Sequence, residues 1–86
     1  MKIGKVYAVD WVDSANHAIG WEHEVGVELA VICSVGFLSA KNKKAITLVQ
    51  NVCFHGVGEG SQCNAISIPR GCIKSITRLK VKKCKN

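Results

Sequence analysis

The sequence predicts a small, mainly β domain, and three observations carry that expectation. Apolar residues make up 48% of the 86 residues and are spread along the whole chain. Several runs alternate with period two or are dense in β-branched residues, as half-buried or fully buried strands are. Glycines and short polar clusters separate those runs, leaving segments too short for long helices. One core is all a chain of this length supports, because smaller domains struggle to bury enough surface. Residues 1–81 therefore read as a single domain and 82–86 as a basic C-terminal tail.

The first strand is expected from Lys2 to Val12, where Val6, Ala8, Asp10 and Val12 alternate with Tyr7, Val9 and Trp11. Asp13-Ser14-Ala15-Asn16 should end it, since short polar side chains compete for backbone hydrogen bonds. Residues 17–27 hold Gly20 and Gly26 around a Glu-His-Glu, and read as a loop with a helical turn. From Glu28 to Ala40 the apolar run Leu29–Leu38 predicts a strand buried on both sides, and Gly36 within it predicts a bend or bulge. Lys41-Asn42-Lys43-Lys44 is a polar hairpin turn into a partner strand, Ala45–Phe54. Gly56, Gly58 and Gly60 mark a loop without strand or helix period. Their spacing fits neither the dinucleotide fingerprint nor the P-loop, and no helix follows to present its N-terminus to a phosphate.

Asn64–Ile68 alternates as a short strand that Pro69 should end. Pro69-Arg70-Gly71-Cys72 should make one tight turn, followed by a helical turn and a last strand from Ser75 to Val81. The resulting order is a small, strongly bent antiparallel sheet or an Sm-like barrel of four to five strands with one short helical turn, because closure hides the edges of so small a sheet. An open sheet against one short helix is the alternative.

Charge is placed unevenly. Residues 1–40 carry two lysines against five carboxylates, a net −3, whereas residues 41–86 carry ten cations against Glu59, a net +9. The second half should attract anions. No run approaches the 18 apolar residues of a bilayer span, and the first residues lack an apolar signal core, so the chain reads as soluble and not secreted. The five cysteines are odd in number and show no CxxC spacing, which points to reduced thiols in a cytosol.

Cys53, His55, Cys63 and Cys72 are the right types for zinc, but Cys53-Phe54-His55 is a CxH in which both side chains share a strand face about 7 Å apart. No metal and no cofactor is expected. His17, His23 and His55 offer bases to the thiols without any local nucleophile signature, so no enzymatic activity is expected. Trp11, Asp13, Ser14 and Trp21 carry two readings. The indoles are core anchors with locally satisfied N–H groups, or they stack on a base whose edge Asp13 and Ser14 hydrogen-bond. The basic set Arg70, Lys74, Arg78, Lys80, Lys82, Lys83 and Lys85 is either a solvated face or a phosphate-binding one.

The ordered set Trp11-Val12-Asp13-Ser14, Gly20-Trp21, Ser34-Val35-Gly36-Phe37-Leu38 and Ile68-Pro69 with Ile73, Ile76 and Leu79 resembles a group of small uncharacterised proteins encoded by bacteriophages. The likeness covers nearly the whole chain, which departs from the group in being basic and cysteine-rich with a glycine loop. The resemblance implies an accessory protein in the host bacterial cytoplasm, either countering host defence or handling nucleic acid. The expected function is a non-enzymatic, homo-oligomeric protein that sequesters an anionic, cyclic-nucleotide type of ligand. Arg70, Lys74 and Arg78 would hold its phosphates and Trp21 or Trp11 its base. A nucleic-acid-binding small barrel and a protein inhibitor of a host factor are the alternatives.

Overall fold

A computed structural model of the chain describes residues 1–14, 26 and 29–81. The helical turn expected within 17–27, Trp21, and the tail 82–86 lie outside the described residues. Five strands form one antiparallel sheet: β1 (Val6–Ser14), β2 (Leu29–Lys41), β3 (Ala45–Val52), β4 (Gln62–Pro69) and β5 (Ile73–Leu79). Their order across the sheet is β4-β3-β2-β1-β5. One 3-10 turn, Arg70–Cys72, joins β4 to β5.

Alternation along the strands decides the inner face. Tyr7, Val9 and Trp11 on β1, Leu38 on β2, Ile46 and Leu48 on β3 and Ile68 on β4 form one buried cluster. Met1, Ile32, Cys72 and Ile73 pack against it. A cluster drawn from four neighbouring strands requires the sheet to curl around that face. Two bulges tighten the curl. Ser39 is an extra residue on β2 between the pairs Leu38↔Leu48 and Ala40↔Thr47. Lys74 is an extra residue on β5 between Asp10↔Ser75 and Trp11↔Ile73.

The sharpest constraint lies at Gly36. A Cβ there would sit 2.7 Å from the carbonyl oxygen of Val49 and 3.3 Å from the Cβ of Leu48. The β3 backbone thus lies against the inner face of β2, and only glycine leaves room for it. The ladder with β1 runs unbroken through Tyr7↔Gly36, so the bulge expected at this residue lies three positions on at Ser39, and Gly36 itself marks a close approach. The last β2–β3 pair is Phe37↔Val49, and toward Leu29 the first half of β2 pairs with β1 alone.

Four expectations need correction. The sheet is not closed into a barrel: β4 and β5 are its two outer strands, each committed to one neighbour, and the 3-10 turn spans between them. β1 does not stop at Val12, because Asp13 and Ser14 find ladder partners in Ala30 and Leu29. β4 starts at Gln62 and includes Pro69, which an edge position tolerates. β2 is not buried on both sides. Leu29, Val31 and Val35 are 62%, 67% and 51% exposed, since they project from the outer face, away from the core cluster.

Gly36→Val is expected to lose roughly 1–3 kcal/mol or more of stability through overpacking against the Val49 carbonyl. Gly71→Ala, with nothing within 4 Å of the added Cβ, should stay within about 0.5 kcal/mol of the parent. Urea unfolding midpoints measure both. Equal midpoints for Gly36→Val and the parent would refute the close approach.

Candidate functional site

The most organised polar region is the end of the sheet where the β2–β3 turn meets the β4–β5 connection. Asn42 builds the turn from within. Its backbone N–H donates to the Ala45 carbonyl at 3.0 Å, and its side-chain Oδ1 accepts from the N–H groups of Lys44 and Ala45 at 2.8 and 2.9 Å. This Asx arrangement explains why an asparagine stands amid the lysines. Arg70 then ties the second connection to the first. Its N–H donates to the Lys44 carbonyl at 2.8 Å, and its Nε donates to the Asn42 carbonyl at 2.6 Å.

These bonds gather Lys41, Asn42, Lys43 and Arg70 around one open depression of about 390 Å³, with Lys44 in the same turn. Lys41 donates its ammonium to the Met1 carbonyl at 2.6 Å. Lys43, Lys44 and Arg70 are exposed. The described carboxylates, Asp10, Asp13 and Glu59, lie on β1 and in the β3–β4 loop, so none stands in either turn. Arg70 spends Nε within the protein and keeps its terminal N–H groups as a fork suited to a phosphate or carboxylate.

The other expected site residues are distributed along the sheet. Trp11 is buried in the core, with its indole N–H donated to the Ser34 hydroxyl at 3.0 Å. Asp13 and Ser14 are exposed at the end of β1, where the Ser14 N–H donates to the Asp13 carboxylate at 2.8 Å. Lys74 is the bulged residue of β5 and Arg78 pairs with Tyr7. Of the expected cations, Arg70 alone sits in the turn cluster. In sequence, Lys41, Lys43 and Lys44 are marked only as turn residues. The signal that marked them was the charge run itself, and the contact with Arg70, 26 residues or more away in sequence, carried no local trace.

The chain matches no protein-family model, no curated protein and no solved structure. Among the described residues no helix is long and apolar enough to cross a membrane, and no group of three or more His, Cys, Asp or Glu side chains is placed to hold a metal ion. Cys33, Cys53, Cys63 and Cys72 are free. The Cys53 thiol donates to the His55 carbonyl at 3.2 Å.

A second polar cluster sits on the outer face of the sheet. Asp10 accepts from the Ser75 hydroxyl at 2.8 Å and faces Cys33 across the β1–β2 ladder. The Ser75 hydrogen bond, then that of the Cys33 thiol, hold the Asp10 carboxyl below its ordinary value, with Lys74 adding in the same direction. The hydrogen bond to Asp10 in turn pushes the Cys33 thiol up. The carboxylate therefore favours the native state above its ordinary pKa, and that contribution is lost as pH falls through the depressed value. For Cys33 the contribution is present below its ordinary pKa and lost as pH rises through the raised one.

Asp10→Ala should accordingly raise the fraction of Cys33 thiolate and speed its alkylation by iodoacetamide at mildly alkaline pH. Peptide mass spectrometry resolves Cys33 from the other cysteines. A rate unchanged or slower in the variant would mean that Asp10 does not restrain the thiol.

Proposed function

We propose that this chain is a non-enzymatic binding protein for phosphate-bearing ligands, and that its ligand is the backbone of a nucleic acid. The observation that carries the reading is the Arg70 link between the two turns. It sets Lys43, Lys44 and Arg70 on one open end with no described carboxylate among them. Clustered cations of this kind attract phosphates by releasing condensed counterions, without sequence preference. The depression they line is open and not enclosed, which suits an extended strand better than a small molecule held on all sides.

A second reading, sequestration of a small anionic nucleotide by a phage accessory protein of the anti-defence kind, is favoured by one feature. Arg70 is held by two hydrogen bonds of its own, so its fork is positioned before a ligand arrives. Trp11 contributes no stacking face in that reading, being buried in the core.

Titrations at two salt concentrations separate the readings, with single-stranded oligonucleotides set against a panel of linear and cyclic nucleotides. For backbone binding, affinity falls steeply with salt, and replacing both Lys43 and Lys44 by Ala flattens the log–log slope by about 0.7 per lost phosphate contact. Arg70→Lys, which keeps the charge and loses the fork, should change oligonucleotide affinity little. For the nucleotide reading the same substitution should cost roughly 1.5–3 kcal/mol, as for a charge-assisted hydrogen bond. Absence of binding to either panel by the folded protein would refute both.

A further inference from the structure

We infer that the open edge of β2, from Val31 to Val35, is a self-pairing surface on which a second copy of this chain docks its own β2 edge-to-edge and antiparallel about Cys33. This inference stands independently of the anion reading. Its basis is the direction of the backbone groups. Leu38 donates its N–H to the Lys5 carbonyl and accepts the Gly4 N–H, both at 2.8 Å, so its backbone groups face the β1 side. Consecutive strand residues alternate in this respect. Residues 36, 34, 32 and 30 therefore bond to β1, while 37, 35, 33, 31 and 29 turn their N–H and C=O to the opposite edge. Phe37 meets Val49 of β3 there. Val35, Cys33, Val31 and Leu29 meet no described strand.

The same four residues carry exposed side chains, three of them large and apolar. Where β3 diverges it leaves an open cleft of about 440 Å³, lined by Cys33, Ser34 and Val35 on one side and by β3 and β4 residues on the other. The edge thus offers unpaired backbone and an apolar row together, which is the template that strand addition uses.

The contrast with the outer strands identifies the occupant. β5 carries the Lys74 bulge and the charge of Arg78, and β4 carries Asn64 at φ +59 and ends in Pro69. Bulges, charges and proline are the devices that discourage edge pairing. The β2 edge has none of them: its outward residues are Leu, Val, Cys and Val, without charge, glycine or proline. It is also self-complementary. Antiparallel pairing about Cys33 sets Val31 opposite Val35 of the copy and Cys33 opposite its own counterpart, with the apolar side chains meeting on the outer face. A two-fold contact of this kind closes on itself, and the edges that remain, β4 and β5, carry the bulge, charge and proline just described. At the centre the two Cys33 Cα atoms would lie about 5.5 Å apart, within the range a disulfide spans.

The test combines sedimentation with cross-linking. Across a dilution series the protein should pass from dimer to monomer. Val31→Lys, which charges the edge without touching the core, should shift that equilibrium to monomer at every concentration, with circular dichroism reporting the retained fold. Under diamide, two Cys33 thiols lose two protons and two electrons to the reagent, and a covalent dimer should form. Cys33→Ser should abolish it, whereas Cys63→Ser, which alters another exposed thiol, should not. A wild-type protein that stays monomeric throughout and yields no Cys33-linked dimer overturns the inference, as the edge would then belong to some other strand. A dimer insensitive to Val31→Lys, or cross-linked without Cys33, overturns it equally.

Discussion

The contact of the β3 backbone with Gly36 governs the rest of the architecture. With the Val49 carbonyl 2.7 Å from where a side chain would begin, β3 crosses onto the inner face of β2 instead of following its edge. Two consequences follow from that crossing. The inner face closes over Leu38, Leu48 and Ile46 to make the core. The first half of β2 loses a neighbour and keeps its outer edge open. The turn that joins β2 to β3 meets the β4–β5 connection for a separate reason: the β3–β4 ladder pairs Ala45 with Pro69, which sets Arg70 beside Lys44 and Asn42. Ser39, bulged three residues further on, supplies the remaining twist.

A core of this size needs support from outside it. The cluster on the inner face is small, and small single-layer sheets are marginal on their own. The second apolar row, Leu29, Val31 and Val35 on the convex side, stabilises nothing while it faces water. Covered by a partner it would add buried area to the same sheet, and association then contributes to apparent stability by mass action. Further along the same face of β2, Phe37 illustrates a local remedy. Its ring meets Phe54 edge-to-face at 5.8 Å, beside the buried Val49, so the convex face is partly sealed where β3 is present.

Much of the β character was legible in the residues because it is a local property. The period-two run through Tyr7, Val9 and Trp11, the hairpin at Lys41–Lys44 and the tight turn after Pro69 all announce themselves within a few positions. Gly36 was legible as a special position for the same reason, although it proves to be a close approach and the bulge sits at Ser39. What escaped were pairings at long range. Asp13 and Ser14 look like strand-enders until Ala30 and Leu29 offer them ladder partners. An apolar run such as Leu29–Leu38 reads as buried on both sides, whereas its exposure depends on which face of the sheet carries the core cluster. The barrel expectation failed on the same point, since closure is decided by whether two distant strands meet. Of the site, Arg70 was identified by its charge, while its partnership with the Lys41–Lys44 turn depended on the β3–β4 register that pairs Ala45 with Pro69.

Geometry also relates the cationic end to the β2 edge. Cys33 and Lys41 are eight residues apart on one strand, at most about 26 Å at 3.3 Å per residue. That exceeds the roughly 8 Å Debye length at physiological salt, so charge in the turn neither favours nor opposes pairing about Cys33. Antiparallel pairing of two β2 strands would place the two cationic turns at opposite ends of the joined sheet, up to about 53 Å apart. No single nucleotide spans such a distance, and each would engage one end alone. A nucleic acid offers one phosphate per 3.4 Å of each strand and reaches both ends once it is long enough. The second contact is then intramolecular, and the gain from linked sites can reach on the order of a hundredfold or more. Self-pairing at the β2 edge would therefore convert a weak anion-binding turn into a device that discriminates by ligand length, which favours a polymer over a mononucleotide without any additional contact to either.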